Sequence, residues 1–264
     1  MEDLAAALPS LLTTEALGRT LHVHESLGST NDEALRLARE GAPHGTVVIA
    51  ERQTAGRGRR GRSWASPAGR SLYLSVLLRP ALPPQRAPEI VPVVAVAGAE
   101  ALRAAGVEAS IKWPNDLVAG ARKIAGILTE LSASMERIHF VVVGIGINVN
   151  LVEDDLPEEL RPIATSVRTE LGREVSRADL AADFLARFES WLGRHERGGF
   201  EPVRERYRAL SSTLGTRVRL IEAESEIEGI AEDIDEAGAL LLRRDDGVLE
   251  QARTGDVTSL RPAR

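Results

Sequence analysis

A loop rich in arginine and glycine is the most distinctive chemical feature of the sequence. Between Gly56 and Arg62 it places four arginines and three glycines in seven residues, with no acidic residue among them. Glycines let a backbone curl around an anion, and guanidinium groups donate paired hydrogen bonds to phosphate or carboxylate. The loop therefore predicts an anion-binding site, with a solvated basic loop or an RNA-binding patch as alternatives. Without a ligand its like charges should repel each other and keep it mobile.

Three familiar nucleotide-binding interpretations of this loop are excluded. The run from Gly56 to Gly61 has the letters of a dinucleotide-binding fingerprint, but that fingerprint must open a helix. Here Pro67 and Gly69 follow, and then an apolar strand-like run. A Walker loop would need Gly-Lys-Ser/Thr, and a protein kinase would need downstream catalytic and metal-binding motifs, and the sequence contains neither.

A second segment, residues 112–116, reads Lys-Trp-Pro-Asn-Asp and is followed by an apolar run that begins around Lys123. A lysine next to an apolar strand is partly desolvated and prefers an anion beside it. Asn115 and Asp116 can hydrogen-bond a sugar or hold a metal ion. A salt-bridged hairpin with Trp113 in the core is the structural alternative.

Three further features are weaker on their own. Trp64, beside the arginine loop, is a candidate stacking platform for a base. Gly144 and Gly146 alternate in an apolar strand, which leaves one face bare for a flat ligand or for a closely packed helix. Residues 29–31 read Ser-Thr-Asn with acidic residues three positions later, which is typical of a helix capping box.

The elements that position these segments mix strands and helices. Apolar runs predict strands at 20–27, 46–51, 71–78 and 140–149, a hairpin of 111–118 and 122–131 around Gly120, and helices at 91–105 and 180–208. Beyond Thr213 the chain predicts four short strands (218–220, 228–233, 239–243 and 248–252), with an Asp-Gly hairpin turn before the last. We therefore expect a short helical lead-in (1–18), a catalytic domain (19–212) and a small C-terminal β-barrel (213–264).

Composition limits the class of protein. The chain has 264 residues, is 43% hydrophobic and carries a net charge of −6, which fits one or two domains and argues against general affinity for nucleic acid. It has no cysteine, so a disulfide framework, a cysteine zinc site and a cysteine nucleophile are excluded. The acidic N-terminus does not resemble a signal peptide, and no apolar stretch is long enough to cross a membrane. We expect a cytoplasmic protein.

Taken together, these segments resemble the biotin–protein ligase family. The resemblance rests on their order along the chain: Gly28-Ser-Thr-Asn31, Gln53 to Arg62, Lys112 to Asp116, Lys123-Ile-Ala-Gly-Ile-Leu128 and Gly144-Ile-Gly-Ile-Asn148. It implies an α+β fold with a mixed-sheet catalytic domain like that of class II aminoacyl-tRNA synthetases and a small C-terminal SH3-like β-barrel. It also implies ATP-dependent formation of biotinyl-5′-AMP and transfer of biotin to a lysine of a biotin carboxyl carrier protein of acetyl-CoA carboxylase.

The same resemblance implies roles for individual residues. Those that would bind biotin are Ser29, Thr30, Asn31, Gln53, Arg57, Gly58, Arg59, Lys123, Gly126 and Gly144. Those that would bind ATP or the adenylate are Arg59, Arg60, Arg62, Trp64, Asn115 and Asn148. Lys123, Arg59 and Asp116 would act in catalysis, and Asp116 would help to hold Mg²⁺.

The resemblance leaves some partners and rival functions open. Some family members carry an N-terminal DNA-binding domain, which needs about 50 residues. The short region before Ser29 predicts the monofunctional kind, without specific DNA binding. We also expect no membrane attachment, because no apolar stretch is long enough to span a bilayer. A homodimer is left open. Three rival functions are considered. A nucleic-acid-binding protein that uses the arginine loop is disfavoured by the acidic net charge, and a lipoate or octanoyl transferase should lack this loop. The third is a biotin-sensing regulator without catalysis.

Overall fold

The chain folds into two antiparallel-rich sheets with six helices among the residues that the structure describes. The structure is a computed structural model and describes residues 4–222 and 225–260. The helices are α1 (Leu4–Leu11), α2 (Thr30–Arg39), α3 (Ile90–Ala104), α4 (Val167–Leu171), α5 (Arg177–Gly198) and α6 (Glu201–Leu210). The strands are β1 (Leu21–His24), β2 (Val47–Ala50), β3 (Leu72–Leu78), β4 (Ala109–Lys112), β5 (Asp116–Ala119), β6 (Arg122–Ala133), β7 (Ile138–Ile147), β8 (Arg217–Glu222), β9 (Ser225–Ile234), β10 (Leu240–Arg243), β11 (Leu249–Ala252) and β12 (Asp256–Ser259).

The larger sheet has seven strands in the order β1-β2-β3-β7-β6-β5-β4. β1 and β2 run parallel and the other neighbours run antiparallel, so the predicted mixed sheet is confirmed. Its register aligns five residues in one row across β4, β5, β6, β7 and β3, namely Lys112, Asp116, Gly126, Gly146 and Tyr73. Directly paired residues point to the same face of a sheet. This row therefore runs across a single face.

The opposite face of the large sheet is covered by α3, with α5 packed behind it. The alanines and valines of α3 are small enough for a close approach, and Gly98 brings the helix closest. A Cβ added there would lie 2.8 Å from Leu117 Cδ1, so a larger residue would require the Leu117 side chain to move. Because α3 and α5 bury one face of the sheet, the face that carries the aligned row remains available for a site.

Two predicted elements are each split in the structure. The predicted helix 180–208 ends at Gly198 and restarts at Glu201, because Gly199 takes a φ of +73° and Pro202 follows at the start of α6. The first arm of the predicted hairpin is likewise divided into β4 and β5, because Pro114 cannot donate to a strand ladder. The hairpin around Gly120 itself is confirmed, as is the helix predicted at 91–105.

The smaller sheet contains five antiparallel strands in the order β11-β10-β9-β8-β12, consistent with the predicted SH3-like barrel. Four of its strands match the sequence prediction, and β12 was not predicted. The N-terminal helix α1 is also present, and both Leu4 and Leu8 are fully buried in the main core. Residues 1–3, 223–224 and 261–264 lie outside the described part of the chain. No described helix is long and apolar enough to cross a membrane.

Hydrogen bonds and a shared core join the small sheet to the rest of the molecule. The Trp113 indole N–H donates to the Gly238 carbonyl at 3.1 Å. On β9, Asp233 accepts from Arg204 at 2.9 Å and from Arg208 at 2.7 Å, both on α6. Burial by itself raises the pKa of Asp233, but these two guanidinium groups and the Ile234 amide outweigh it and lower the pKa to about 2.

Candidate active site

A cavity of about 510 Å³ opens on the face of the large sheet opposite α3. Nearly all of the sequence-predicted site residues line it: Ser29, Thr30, Asn31, Gln53, Arg57, Gly58, Arg59, Arg62, Trp64, Asn115, Asp116, Lys123, Gly126, Gly144 and Asn148. Arg60 is the exception, since it does not line the cavity. Segments as far apart as residues 29 and 148 are therefore brought to one place by the sheet.

The N-terminus of α2 forms a polar pocket at one end of the cavity. Ser29 precedes the helix as predicted, but its side chain makes no capping hydrogen bond, so the predicted capping box is wrong. Gln53 caps the helix instead, because its Oε1 accepts from the Thr30 backbone N–H at 2.8 Å and from the Thr30 hydroxyl at 3.1 Å. The Ser75 hydroxyl lies 2.8 Å from Thr30 Oγ1 and 2.6 Å from Asn31 Oδ1. These buried polar groups are held in place by one another.

Asn31 lies directly over Gly144, where a Cβ would overlap its amide oxygen. The Asn31 amide nitrogen donates to Glu130 at 2.8 Å. The same carboxylate accepts from Arg57 at 2.8 Å, and Arg57 also pairs with Asp32 at 2.6 Å. The polar pocket is thus linked by Glu130 to the first arginine of the loop.

The indole of Trp64 covers the remaining glycines of the sheet. A Cβ at Gly146 would lie 2.7 Å from Trp64 Nε1, and one at Gly126 would lie 3.0 Å from Trp64 Cζ3. The Lys123 ammonium lies 5.1 Å from the centre of the ring, within cation–π range. Trp64 Nε1 is buried and has no hydrogen-bond partner among the described residues. The glycine face is therefore not bare, because Trp64 covers Gly126 and Gly146, and Asn31, in the first turn of α2, covers Gly144.

Lys123 and Arg59 form the cationic centre of the cavity. Lys123 Nζ pairs with Asp116 at 2.7 Å, and both side chains are partly exposed. Arg59 donates to Asn115 Oδ1 at 3.0 Å and to the Gly255 carbonyl at 3.4 Å. Desolvation lowers the pKa of the Arg59 guanidinium, which indicates that its charge is only partly compensated by its surroundings. An anion at this point would be stabilised by both cations.

The arginine loop is not an unpaired cluster of like charges. Arg60 lies 3.3 Å from Asp256 on β12, and Arg62 forms a shorter ion pair with the same carboxylate. The expected mutual repulsion is therefore offset by acidic residues that the sequence places far away. Asp256 lies 194 residues from Arg62 along the chain, and no local pattern links the two.

Other lining residues were not predicted from the sequence. Leu156, Leu160 and Ile163 form an apolar lip at the cavity, and Ile163 is 57% exposed. Asn148 also lines the cavity. Its side-chain amide donates to the carbonyl of Thr165, two residues after Ile163, at 2.9 Å, which holds it beside the lip. The lip carries no recognisable motif.

Ser75 lies behind the polar pocket, in contact with Thr30 and Asn31, and was missed by the sequence reasoning. It is fully buried and is the one polar residue of β3, which otherwise reads Leu-Tyr-Leu-Val-Leu-Leu. A buried hydroxyl in an apolar strand requires a hydrogen-bond partner. That interruption is a signal that could have placed Ser75 next to the polar pocket.

Family models match both parts of the chain. A model described as the biotin/lipoate A/B protein ligase family matches residues 23–148, and one described as the biotin protein ligase C-terminal domain matches residues 213–258. A bifunctional ligase/repressor BirA of Bacillus subtilis is 39% identical over 90% of this chain and 73% of its own length. This chain belongs to the biotin protein ligase family.

Other members of the biotin protein ligase family agree in sequence and fold. A biotin–[acetyl-CoA-carboxylase] ligase of Mycobacterium tuberculosis is 37% identical over 92% of this chain and 90% of its own length. A biotin protein ligase from Aquifex aeolicus, solved in complex with biotin and ATP, superimposes with a TM-score of 0.79 at 30% identity. That match covers 92% of this chain and 99% of the Aquifex chain. The resemblance inferred from the sequence and the predicted fold class are confirmed.

Proposed function

We propose that this protein is a biotin–[acetyl-CoA carboxylase] ligase, which converts biotin and ATP to biotinyl-5′-AMP and transfers biotin to a lysine of a biotin carboxyl carrier protein. One observation carries the proposal. A single cavity joins a buried, uncharged polar pocket to a cationic centre built from Lys123 and Arg59. That pattern fits a ligand with a neutral polar head and an anionic tail that must react with a phosphate.

The polar pocket would bind the ureido head of biotin. A ureido group presents one carbonyl acceptor and two N–H donors, so it needs both donors and acceptors opposite it. The buried Ser29, Thr30 and Asn31 and the half-buried Gln53 supply hydroxyl, amide and carbonyl groups in a small volume. Gly144 would leave room for Asn31, whose amide a Cβ at position 144 would displace. Arg57 and Gly58, at the mouth of this pocket, would meet the valeryl chain and its carboxylate.

The cationic centre would bring two anions together. A carboxylate oxygen of biotin attacks the α-phosphorus of ATP, the bond from this phosphorus to the bridging oxygen breaks, and its electron pair leaves with pyrophosphate. At about 4 Å and an effective dielectric near 20, one cation–anion contact contributes roughly 4 kcal/mol before desolvation costs. Lys123 and Arg59 would supply such contacts at the forming acyl phosphate. Arg62, Trp64, Asn115 and Asn148 would surround the nucleotide, and Arg60 would act through its pair with Asp256.

Magnesium fits this site as an ion carried by the nucleotide. No cluster of three or more metal-ligating side chains occurs among the described residues. Mg²⁺ in nucleotide enzymes commonly uses one or two carboxylates together with substrate phosphates. Asp116 lines the cavity beside Lys123 and would provide such a carboxylate. When bound, the ion would neutralise phosphate charge.

Transfer would follow in the same cavity. The amine of the carrier lysine attacks the acyl carbon of the mixed anhydride, and AMP leaves with the electron pair of the broken C–O bond. Asp116 would orient Lys123 and accept the proton that the carrier amine loses as it attacks. The apolar lip of Leu156, Leu160 and Ile163 would exclude water and so limit hydrolysis. We place this reaction in the cytoplasm.

The test of this proposal is substrate choice. The purified protein should release pyrophosphate from MgATP when biotin is added, even without a carrier. Lipoate and octanoate are the matched controls, because the matching family model also covers lipoate ligases. Pyrophosphate release with lipoate or octanoate but not with biotin would overturn the substrate assignment.

A further inference from the structure

A second lysine, Lys112, lies in the same cavity and has no role in the reaction described above. It is the last residue of β4, is partly exposed and lines the cavity. No carboxylate or other partner lies within ion-pair or hydrogen-bond distance of its side chain in the described part of the chain. Three other cavity cations are paired with carboxylates, Lys123 with Asp116, Arg62 with Asp256 and Arg57 with Asp32 and Glu130. Arg59, the fourth, donates only to neutral groups at the Lys123 centre. Lys112 is therefore an available positive charge in a site built for anions.

The use of lysine in this chain is itself informative. Of its 33 lysines and arginines, only Lys112 and Lys123 are lysines, and both line this cavity. Arginine serves as the cation at every other position. Lysine differs in presenting a compact point charge with three freely rotating donors, which suits phosphate oxygens approached from several directions. Both lysines are thus placed where a polyphosphate would lie.

The sheet register fixes the order of groups along the cavity. Lys112 on β4 pairs with Asp116 on β5, which pairs with Gly126 on β6 and then Gly146 on β7. With neighbouring strands about 4.8 Å apart, Lys112 lies roughly 14 Å from Gly146. The polar pocket lies at the β7 side, around Gly144. Lys123, on β6, is therefore between that pocket and Lys112.

In-line displacement at phosphorus places the leaving group opposite the attacking group. If the biotin head occupies the polar pocket, its carboxylate approaches Lys123 from the β7 side. The departing pyrophosphate must then lie farther along the row, on the β4 side, where Lys112 is the available cation. Resting on the proposed function, we propose that Lys112 is a further catalytic residue, which binds the β- and γ-phosphates of ATP and stabilises pyrophosphate as it leaves.

The backbone around Lys112 is held firmly enough for this role. The Ile111 carbonyl accepts from the Ser212 amide at 2.9 Å. On the other side, the Trp113 amide donates to Thr213 Oγ1 at 3.0 Å. Lys112 is thus fixed at the junction of the two sheets, and its charge would act without rearrangement of the strand.

The experiment separates the two half-reactions in Lys112→Met. Biotin-dependent ATP–pyrophosphate exchange should fall roughly 10²-fold, the usual effect of losing one charge-stabilising donor, and the KM for MgATP should rise. Biotin affinity and single-turnover transfer from preformed biotinyl-AMP to a carrier domain should stay within twofold of wild type. Lys112→Arg keeps the charge and should lie closer to wild type than to Lys112→Met. Arg103→Met, which removes a cation outside the cavity, is the matched control.

Three results would overturn the proposal. Unchanged exchange and MgATP dependence in Lys112→Met would show that the lysine is only solvated. Equal losses in transfer from biotinyl-AMP and in activation would place it at the acyl phosphate or in the fold. An arginine variant as poor as the methionine variant would show that charge is not the relevant property. Failure of the proposed function can be told apart from failure of the Lys112 proposal, because the wild-type protein would then give no biotin-dependent ATP–pyrophosphate exchange.

Discussion

Gly146→Ala tests the contact between Trp64 and the sheet. The new Cβ would lie 2.7 Å from Trp64 Nε1 and Cε2. Carbon and nitrogen atoms pack at about 3.5–4.0 Å, so the indole must retreat by roughly 1 Å. It cannot retreat into the sheet, because the ring already lies against the backbone of Gly126, where a Cβ would come within 3.0 Å of Cζ3. The ring must therefore move into the cavity, towards Lys123.

The size of the effect follows from the cost of overpacking. Inserting a methyl group into a filled site costs about 1–3 kcal/mol. Because the displaced indole takes space from the ligand, we expect biotin affinity to fall by roughly 5- to 150-fold, the equivalent of that energy. Trp64 should also change its fluorescence emission, since its buried surroundings alter.

The assay is isothermal titration calorimetry with biotin. The intrinsic tryptophan fluorescence of the ligand-free protein is recorded in parallel. Gly28→Ala is the matched control, because a Cβ at Gly28 would meet no atom within 4 Å. It should keep wild-type affinity and emission. Wild-type affinity and emission in Gly146→Ala would refute the placement of Trp64 on the glycine face.

Three further predictions concern charged residues. Lys123→Ala should lose roughly 10²–10³ in the rate of pyrophosphate release with a smaller change in biotin affinity, and wild-type turnover would reduce Lys123 to an ion-pair partner of Asp116. Arg59→Ala should still label carriers but release biotinyl-AMP, measured as biotin on lysines of a bystander protein, and an unlabelled bystander would contradict this. Asp233 has a depressed pKa of about 2, so its stabilising contribution is present above about pH 4 and is lost as the pH falls towards 2. Asp233→Asn should therefore lower the melting temperature at pH 7 but make little difference at pH 2, and an equal effect at both pH values would contradict the ion-pair explanation.

Much of the fold follows from local patterns in the sequence. The apolar runs of β2, β3 and β7 and the alanine- and valine-rich α3 have strong signals because burial on both sides demands them. The two elements that were predicted as continuous but are split arose where apolar periodicity was read across a break. Gly199 with Pro202, and Pro114, carry the conformational reasons for those breaks, so backbone chemistry outweighed periodicity there.

The site was predictable as a set of segments but not as a set of contacts. Motif residues identify which segments converge, because glycines and arginines in that pattern have few other uses. Their partners come from distant parts of the chain, such as Gln53 capping α2 and Asp256 pairing with Arg62. Such pairings depend on how distant segments are placed in the folded molecule, so no local pattern encodes them. The apolar lip around Ile163 is recognisable only once it lies beside the cavity.

Biotinylation of a carrier domain tests the proposed function most directly. The protein would be mixed with biotin, MgATP and a biotin carboxyl carrier domain, and the intact mass of the carrier would be measured. We predict the mass increase of one biotinyl group, abolished when the acceptor lysine is replaced or ATP is omitted. An unmodified carrier in the complete mixture, or the same modification without ATP, would contradict the proposed reaction.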